Sequence, residues 1–453
     1  MRQALNMTRR EPSHRWLAAA MLLGFTMSAQ AMDLLQVYAA AQQQDTTLLA
    51  ARATATGELE RLPQARSQMF PSLSASLSQS NNQLESSSTN ILGLEQTNNT
   101  GYPSSNKTVS LRQPLYRTQL AAQYRQALAQ ADDAQAALAL EEQNLAVRVC
   151  GAYFEALLSH DQLALVLAQR VTYTTQLDAA RKALTAGSGI RTDIDDAQAR
   201  LDMNVALEIE ARQNVSYTLR QLQNLINEPI DQLATLQVSQ LELIYPEPNR
   251  LEDWTSRAEQ SSPQIQSLKA RIEITRQEVE KAKSGHYPTL DAVAQWTQSE
   301  SENVINTSSR YTNNSFGLQL NIPLFSGGYV NASVRQALAG LERAEQTLET
   351  GRRDLGLRVH KEFRGVTENI PKIKALEQAL RSADQLVLSS RKSFEAGSRT
   401  LLDILNAEQQ RFLVLRDLAQ SRYMYLISKV RLLALVGGAD LEAVAAINRV
   451  LLN

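Results

Sequence analysis

Two segments of the chain alternate between apolar and polar residues. The segment from Ser72 has Leu73, Ala75 and Leu77 on one face and serines on the other, and the segment from Ser315 repeats the pattern with bulkier apolar residues. A period of two is typical of a β-strand with one apolar face. Each segment has a partner across a loop rich in Ser, Thr, Asn and Gly, so we predict two β-hairpins. The predicted strands are 72–83, 106–115, 289–299 and 313–324.

Much longer segments repeat their apolar residues at intervals of three and four. One extends from Thr118 to Ala186 and the other from Tyr329 to Ala396. At a rise of 1.5 Å per residue, each would form a helix about 100 Å long. No globular core is that wide, so we expect these helices to pack along their length as coiled coils. Pro371 lies inside the second helix, and we expect it to divide that helix into two collinear pieces.

Each long helix ends at a glycine-containing turn. The turns contain Gly187 and Gly189 in the first case and Gly397 in the second, and a further helical segment follows each one. A helix, a glycine turn and a returning helix predict a helical hairpin. The tips are predicted near 187–189 and 397–398, with returning helices at about 192–227 and 401–435. Earlier helical segments, at about 34–66 and 251–283, end before Pro71 and Pro288.

The chain contains the same module twice. The segment RKALTAGSGIRTDIDDA begins at Arg181, and RKSFEAGSRTLLDILNA begins 210 positions later at Arg391. Other segments repeat at similar offsets, which indicates one module of roughly 200 residues present in two copies. We predict a first repeat at 32–245, a linker at 246–250 and a second repeat at 251–453.

Four strands in two hairpins are too few to close a barrel. Open sheet edges promote aggregation in water and are unfavourable in lipid. We therefore predict that other copies of the chain complete the sheet. The alternative is a small soluble β-domain whose apolar face packs on a helix.

The N-terminus is typical of a secretory signal peptide. Arg9, Arg10 and Arg15 precede an apolar run of about 12 residues, and the small-residue site Ala29-Gln30-Ala31 follows it. We predict a signal peptide at 1–31 and a mature chain that begins at Met32. Without that segment the formal net charge changes from −1 to −4, so no basic excess suggests a nucleic-acid partner. No cysteine stands directly after the cleavage site, which argues against a lipid anchor, and no apolar run is long enough for a membrane-spanning helix.

The sequence offers little chemistry for catalysis. It contains no phosphate loop, zinc-protease motif, nucleophile elbow or metal-spaced cysteines. The single Cys150 excludes an internal disulfide, and we expect it to be a buried apolar residue. After the predicted signal peptide the only histidines are His160, His286 and His360, which are far apart in sequence. We therefore predict neither an enzyme nor a bound cofactor.

Polar residues cluster just past both hairpin tips. The repeat aligns Asp193 with Asp403 and Asp196 with Asn406. Thr192 or Asp193 could simply cap the returning helix, since acidic and hydroxyl side chains suit a helix N-terminus. Capping does not explain Arg399, because its counterpart in the first copy is Gly189. The set comprises Thr192, Asp193, Asp195, Asp196, Arg399, Asp403 and Asn406.

These features together resemble the TolC family of outer-membrane channel-tunnels. The resemblance covers 32–453 and depends on the duplicated module, on PLFSGGYVNASVRQA from Pro323 and on AGSRTLLDILNAEQ from Ala396. It implies an α+β membrane protein in which a homotrimer forms a twelve-stranded β-barrel, four strands per chain, above an antiparallel α-helical coiled-coil barrel in the periplasm. The implied partners are outer-membrane lipid, a periplasmic adaptor (membrane fusion) protein and an inner-membrane ABC or RND transporter.

The resemblance also implies a gate at the hairpin tips. Arg399 matches the family's gating arginine, which binds the Thr-Asp pair of a neighbouring hairpin, here Thr192 and Asp193. Phe394 replaces a tyrosine that forms a hydrogen bond in the family prototype, so one gate bond is expected to be missing.

A ring of acidic residues at the pore constriction is implied as well. Asp403 matches a member of that ring, which favours cations where the pore is narrowest. The prototype's second aspartate is replaced here by Asn406. Strong cation selectivity is therefore not expected unless Asp195 or Asp196 compensates.

The implied function is a passive exit duct for an exporter. We expect type I protein secretion, because no lipidated cysteine follows the signal peptide and the chain ends soon after the last helix. Small-molecule efflux is the main alternative. A soluble periplasmic coiled-coil adaptor and an ungated porin are the alternatives of other classes.

Overall fold

The computed structural model describes residues 31–89, 91–302 and 308–452. The predicted signal peptide lies outside the described residues except for Ala31.

The first half of the chain contains three short helices, a β-hairpin and a long helical hairpin. The elements are α1 (Leu34–Gln44), α2 (Thr46–Leu59), α3 (Arg61–Ser67), β1 (Ser72–Thr89), β2 (Glu95–Tyr116), α4 (Thr118–Thr185), α5 (Arg191–Ile226) and the short β3 (Thr235–Leu236).

The second half also has helices, a β-hairpin and a long helical hairpin in this order, with two helices instead of three before the β-hairpin and one more helix after the helical hairpin. Its elements are α6 (Leu251–Ser261), α7 (Pro263–Lys283), β4 (Thr289–Glu302), β5 (Ser308–Asn321), α8 (Tyr329–Glu395), α9 (Leu401–Leu435), α10 (Leu441–Asn448) and β6 (Leu451–Leu452). The predicted α+β fold with an internal duplication is confirmed.

Four strands form one antiparallel sheet in the order β1-β2-β4-β5. A single row across it pairs Leu73 with Leu111, Leu111 with Ala294 and Ala294 with Phe316. Side chains that are paired in register point to the same face, so this row lies on one apolar face. Leu73 and Phe316 are 72% and 82% exposed, so within the chain nothing covers that face at these positions.

The opposite face of the sheet is polar. Its serines include Ser74 and Ser110, whose Oγ atoms are 2.7 Å apart. Near the helical end, Asp291 of β4 accepts hydrogen bonds from Arg112 of β2 at 2.6 and 3.1 Å and from Arg117 at 2.6 and 2.8 Å. Arg117 immediately precedes α4. One carboxylate therefore connects two strands to the start of a long helix.

The strand boundaries differ from those predicted. β1 continues well beyond residue 83, and β2 begins well before residue 106. The two strands pair as far as Thr89 with Glu95. These added residues are mostly polar, so backbone hydrogen bonding extends the hairpin where no apolar alternation indicates it. β5 begins at Ser308 and ends at Asn321, before Pro323, which has no N–H to donate to a strand partner.

The long helices have the predicted length, with 68 residues in α4 and 67 in α8. The predicted division at Pro371 was wrong, because α8 is continuous through that residue. Ile370 and Ile373 on either side of the proline are buried in the main core. Tertiary packing therefore holds the helix together where one backbone hydrogen bond is lost. No helix in the described part of the chain is both long and apolar enough to cross a membrane.

The shorter helical segments are more divided than predicted. Asp45 ends α1 and caps α2, since its Oδ1 accepts from the Leu48 N–H at 2.7 Å. A second junction at Glu60 separates α2 from α3. Between α6 and α7 the break occurs at Ser262, with Pro263 at the first position of α7, where its missing N–H removes no helical bond.

The main hydrophobic core lies around the middle of α4. Tyr153 and Phe154 are fully buried there and meet edge to face, with ring centroids 6.0 Å apart. Cys150 is buried in the same cluster, as predicted, and burial raises the pKa of its thiol to about 12. A thiol held protonated in this way is an unreactive core residue.

Candidate gate and pore constriction

The tips of the two helical hairpins meet within one chain. A second, smaller apolar cluster joins Tyr173 and Leu177 of α4 and Ala197 of α5 to Leu401 and Leu405 of α9. This cluster positions the start of α9 against the first hairpin. The polar residues just past both tips are therefore carried on one packed unit.

Glycine is required by geometry at the first tip. Gly187 has a φ of +78°, a conformation that other residues adopt at a cost, and the next N–H, that of Ser188, bonds to the Ala183 carbonyl at 3.0 Å. At Gly189 an added Cβ would lie 2.7 Å from the Leu184 nitrogen. Both glycines let the chain reverse within a few residues.

The second tip has the same geometry. Gly397 has a φ of +75°, and the Ser398 N–H bonds to the Ser393 carbonyl at 2.9 Å. The sequence repeat therefore corresponds to a repeated turn structure.

The two returning helices begin differently. The N-cap of α5 is Ile190 and forms no side-chain capping bond, so the alternative in which Thr192 or Asp193 caps this helix was wrong. Ile190 is extended, and the helix begins at Arg191, which places Thr192 and Asp193 inside its first turn. Thr192 is exposed. Burial, with a smaller effect from the charge of Asp196, raises the pKa of Asp193.

Thr400 and Asp403 form a reciprocal capping box at the start of α9. The Asp403 Oδ2 accepts from the Thr400 N–H at 2.9 Å and from its hydroxyl at 2.8 Å. These bonds, from the N–H first and the hydroxyl second, lower the pKa of Asp403, and the nearby charge of Arg399 adds to the effect. Asp403 therefore keeps its negative charge to a more acidic pH than an ordinary aspartate.

Arg399 is exposed and bonds within its own chain to Ser390. Its Nη1 donates to the Oγ of Ser390 at 2.8 Å, and Ser390 is fully buried. This bond directs the guanidinium back along the second hairpin. The predicted bond to Thr192 and Asp193 of a neighbouring chain stays a prediction.

Asn406 lies one turn beyond Asp403 and contacts the first hairpin. Its Oδ1 accepts from the Nη2 of Arg200 on α5 at 2.7 Å, and the Oε1 of Gln409 accepts from Nη1 of the same guanidinium at 2.7 Å. Sequence reasoning missed Arg200. The pairing joins residues more than 200 positions apart, and no local motif indicates it.

The remaining residues at the tips differ in their partners. Asp195 accepts from Arg191 at 3.3 Å in an exposed pair one turn apart, so its charge is partly compensated. Asp196 is exposed. Phe394 lies in the last turn of α8, where its side chain offers no hydrogen bond.

Comparisons with known proteins agree with this architecture. The family model described as outer membrane efflux protein matches residues 37–228 and 254–438. The alkaline protease secretion protein AprF of Pseudomonas aeruginosa is 32% identical, over 95% of this chain and 90% of AprF. The outer membrane protein TolC of Escherichia coli is 27% identical, over 95% of this chain and 87% of TolC.

A solved structure supports the fold independently. The CmeC outer membrane channel of Campylobacter jejuni superimposes with a TM-score of 0.75, covering 98% of this chain and 97% of CmeC. At 15% identity this similarity concerns the fold alone.

Proposed function

The chain belongs to the outer membrane efflux protein family, and we propose that within this family it forms the homotrimeric exit duct of a type I protein secretion system. The resemblance to the TolC family is thereby confirmed. The protein is an outer-membrane channel protein with a large periplasmic part, and not an enzyme.

The open sheet is the observation that supports the proposed trimer. β1 and β5 are its two edges and run antiparallel, so β5 of one chain can pair with β1 of the next. Three chains supply twelve strands and leave no free edge, which removes the unpaired backbone groups that lipid does not tolerate. The exposed apolar face with Leu73 and Phe316 then contacts lipid, and the polar face lines the pore.

The paired helical hairpins support a gated tunnel below this barrel. A porin needs no helices about 100 Å long, whereas a duct that crosses the periplasm does. The soluble adaptor alternative is incompatible with membership of an outer-membrane family. We propose that the tips close the periplasmic end, with Arg399 of one chain bound to Thr192 and Asp193 of its neighbour.

Similarity to AprF favours protein secretion, because AprF is a protease secretion protein at 32% identity over nearly the whole chain. The expected partners are a periplasmic adaptor protein and an inner-membrane ABC transporter. The family's description as efflux proteins favours the second candidate, a small-molecule efflux duct with an RND transporter.

A complementation experiment distinguishes the two candidates. Cells that lack their own exit ducts receive this chain, together either with a protease-exporting ABC transporter and its adaptor or with an RND pump and its adaptor. We expect protease in the medium from the first combination and no restored drug resistance from the second. Restored resistance without protease export would support the efflux alternative, and cells without this chain are the control.

The proposed ring of Asp403 residues predicts a pH dependence. The lowered pKa of Asp403 keeps its charge as pH falls, and its contribution to cation preference is lost only when pH passes through that lowered pKa. Thr400→Ala removes the hydroxyl bond but leaves the N–H, so we expect the pKa to rise toward the usual value of about 3.9.

The measurement is the reversal potential in a salt gradient, titrated from pH 7 downward in planar bilayers. The shift of the reversal potential toward anion preference that follows protonation of Asp403 should occur at a higher pH in Thr400→Ala than in the wild type. Thr400→Ser keeps the hydroxyl and should titrate like the wild type. Identical titrations for all three proteins would contradict a role for Asp403 in selectivity.

A further inference from the structure

Arg200 holds two neutral acceptors at the level of the proposed constriction. Its guanidinium bonds to the amide oxygens of Asn406 and Gln409, each at 2.7 Å. These acceptors are three residues apart on α9, so they lie on one face of the helix about one turn apart. Both are uncharged, and the positive charge of Arg200 is therefore held in place without being neutralised.

Several other arginines of this region have carboxylate partners, whereas Arg399 bonds to the hydroxyl of Ser390. Arg170 and Arg212 bind Glu208 at 2.8 and 2.7 Å, Arg391 binds Glu408, and Arg191 binds Asp195. Among the residues that the structure describes, Arg200 has no carboxylate within ion-pair distance. Arg200 is half-buried, but both of its bonds are exposed, so water reaches this charge.

The nearest site residue on α9 is Asp403, one turn before Asn406. Charges on adjacent turns lie well within the screening length of about 10 Å at 0.1 M salt. Asp403 and Arg200 therefore contribute one negative and one positive charge per chain at this level. In a trimer these two residues supply three carboxylates and three guanidinium groups.

We propose that Arg200 determines the ion selectivity of the constriction by offsetting the charge of Asp403, an inference that rests on the proposed trimeric duct. The charges of Asp403 and Arg200 cancel, so together these two residues neither concentrate cations nor reject anions. Such a constriction suits a cargo that carries both signs of charge along its length, as an unfolded polypeptide does. Asn406 serves this arrangement because it anchors the guanidinium without cancelling its charge.

Single and double charge removals test the proposal. We would measure the potassium-to-chloride permeability ratio of the purified wild type, Arg200→Gln, Asp403→Asn and the double variant in planar bilayers at 0.1 M salt. Gln at 200 keeps hydrogen-bonding capacity but removes the charge. Arg200→Gln should raise the ratio by about threefold, Asp403→Asn should lower it similarly, and the double variant should return near the wild type.

Arg200→Lys provides the matched control, since it keeps the charge but loses the two-pronged bond to Asn406 and Gln409. Its permeability ratio should stay near that of the wild type, even if its conductance changes. At 1 M salt, where the screening length falls to about 3 Å, the difference between Arg200→Gln and wild type should shrink.

The outcomes separate this proposal from the proposed function. Arg200→Gln could change the conductance but leave the permeability ratio unchanged, while Asp403→Asn shifts that ratio. Arg200 would then only bond the two hairpins together, and the inference would be overturned. A purified trimer that forms no channels in any variant would instead overturn the exit-duct proposal itself.

Discussion

Asp291→Asn is expected to lower the free energy of unfolding by about 3 kcal/mol, because it weakens the junction between the sheet and the long helices. The side chain of Asp291 is 3% exposed and accepts bonds from two arginines whose side chains are 50% and 28% exposed. The variant leaves two guanidinium groups side by side without a compensating charge. Breaking a buried ion pair costs about 3 to 5 kcal/mol, and partial exposure of both arginines favours the lower end.

The midpoint of urea denaturation, followed by circular dichroism of the detergent-solubilised protein, measures this effect. The matched control is Glu300→Gln in the same strand, which breaks the pair with Arg310 whose side chains are 63% and 39% exposed. Exposed pairs contribute about 0 to 1 kcal/mol, so the control should hardly move the midpoint. Equal shifts for the two variants would show that burial at Asp291 does not determine the effect.

Arg399→Ala is expected to open the proposed gate. A charge-assisted hydrogen bond contributes about 1.5 to 3 kcal/mol, so losing it changes the ratio of open to closed states by roughly 10-fold to 100-fold. The single-channel conductance in planar bilayers should rise accordingly. The wild type should give a small conductance under the same conditions.

Two variants identify which partner of Arg399 holds the gate. Ser390→Ala removes the acceptor within the same chain and should leave the gate closed if the neighbour's Thr192 and Asp193 are the essential partners. Arg399→Lys keeps a charge without the planar fork and should give an intermediate conductance. A Ser390→Ala channel as conductive as Arg399→Ala would contradict the bond between chains.

Much of the fold follows from local periodicity. The alternation around Phe316 predicts a strand with one apolar face, and the absence of proline from Thr118 to Ala186 predicts a helix of unusual length. Both signals are local, because a strand face and a helix face are defined by neighbours a few residues away. The strand ends at Thr89 and Glu95 were not predicted, because the residues near them are mostly polar and show no alternation between apolar and polar positions.

The continuity of α8 shows where local reasoning fails. Pro371 weakens a helix on any local scale, yet Ile370 and Ile373 are held in a core formed by several helices. The capping of α9 is the opposite case. Thr400 and Asp403 form a capping box whose spacing is visible in the sequence. Asp403 was predicted from the sequence only as a pore residue.

The amino-acid sequence by itself determined the duplicated order of elements, the hairpin tips at Gly187 and Gly397, and the family. These depend on periodicity, on residues that turns require, and on motifs, all of which are encoded within short stretches of chain. The tertiary structure alone decided which distant groups meet: Arg112 and Arg117 with Asp291, and Arg200 with Asn406 and Gln409. Such contacts join residues more than 170 positions apart, and their energy depends on burial and orientation that arise only when the helices and strands pack together.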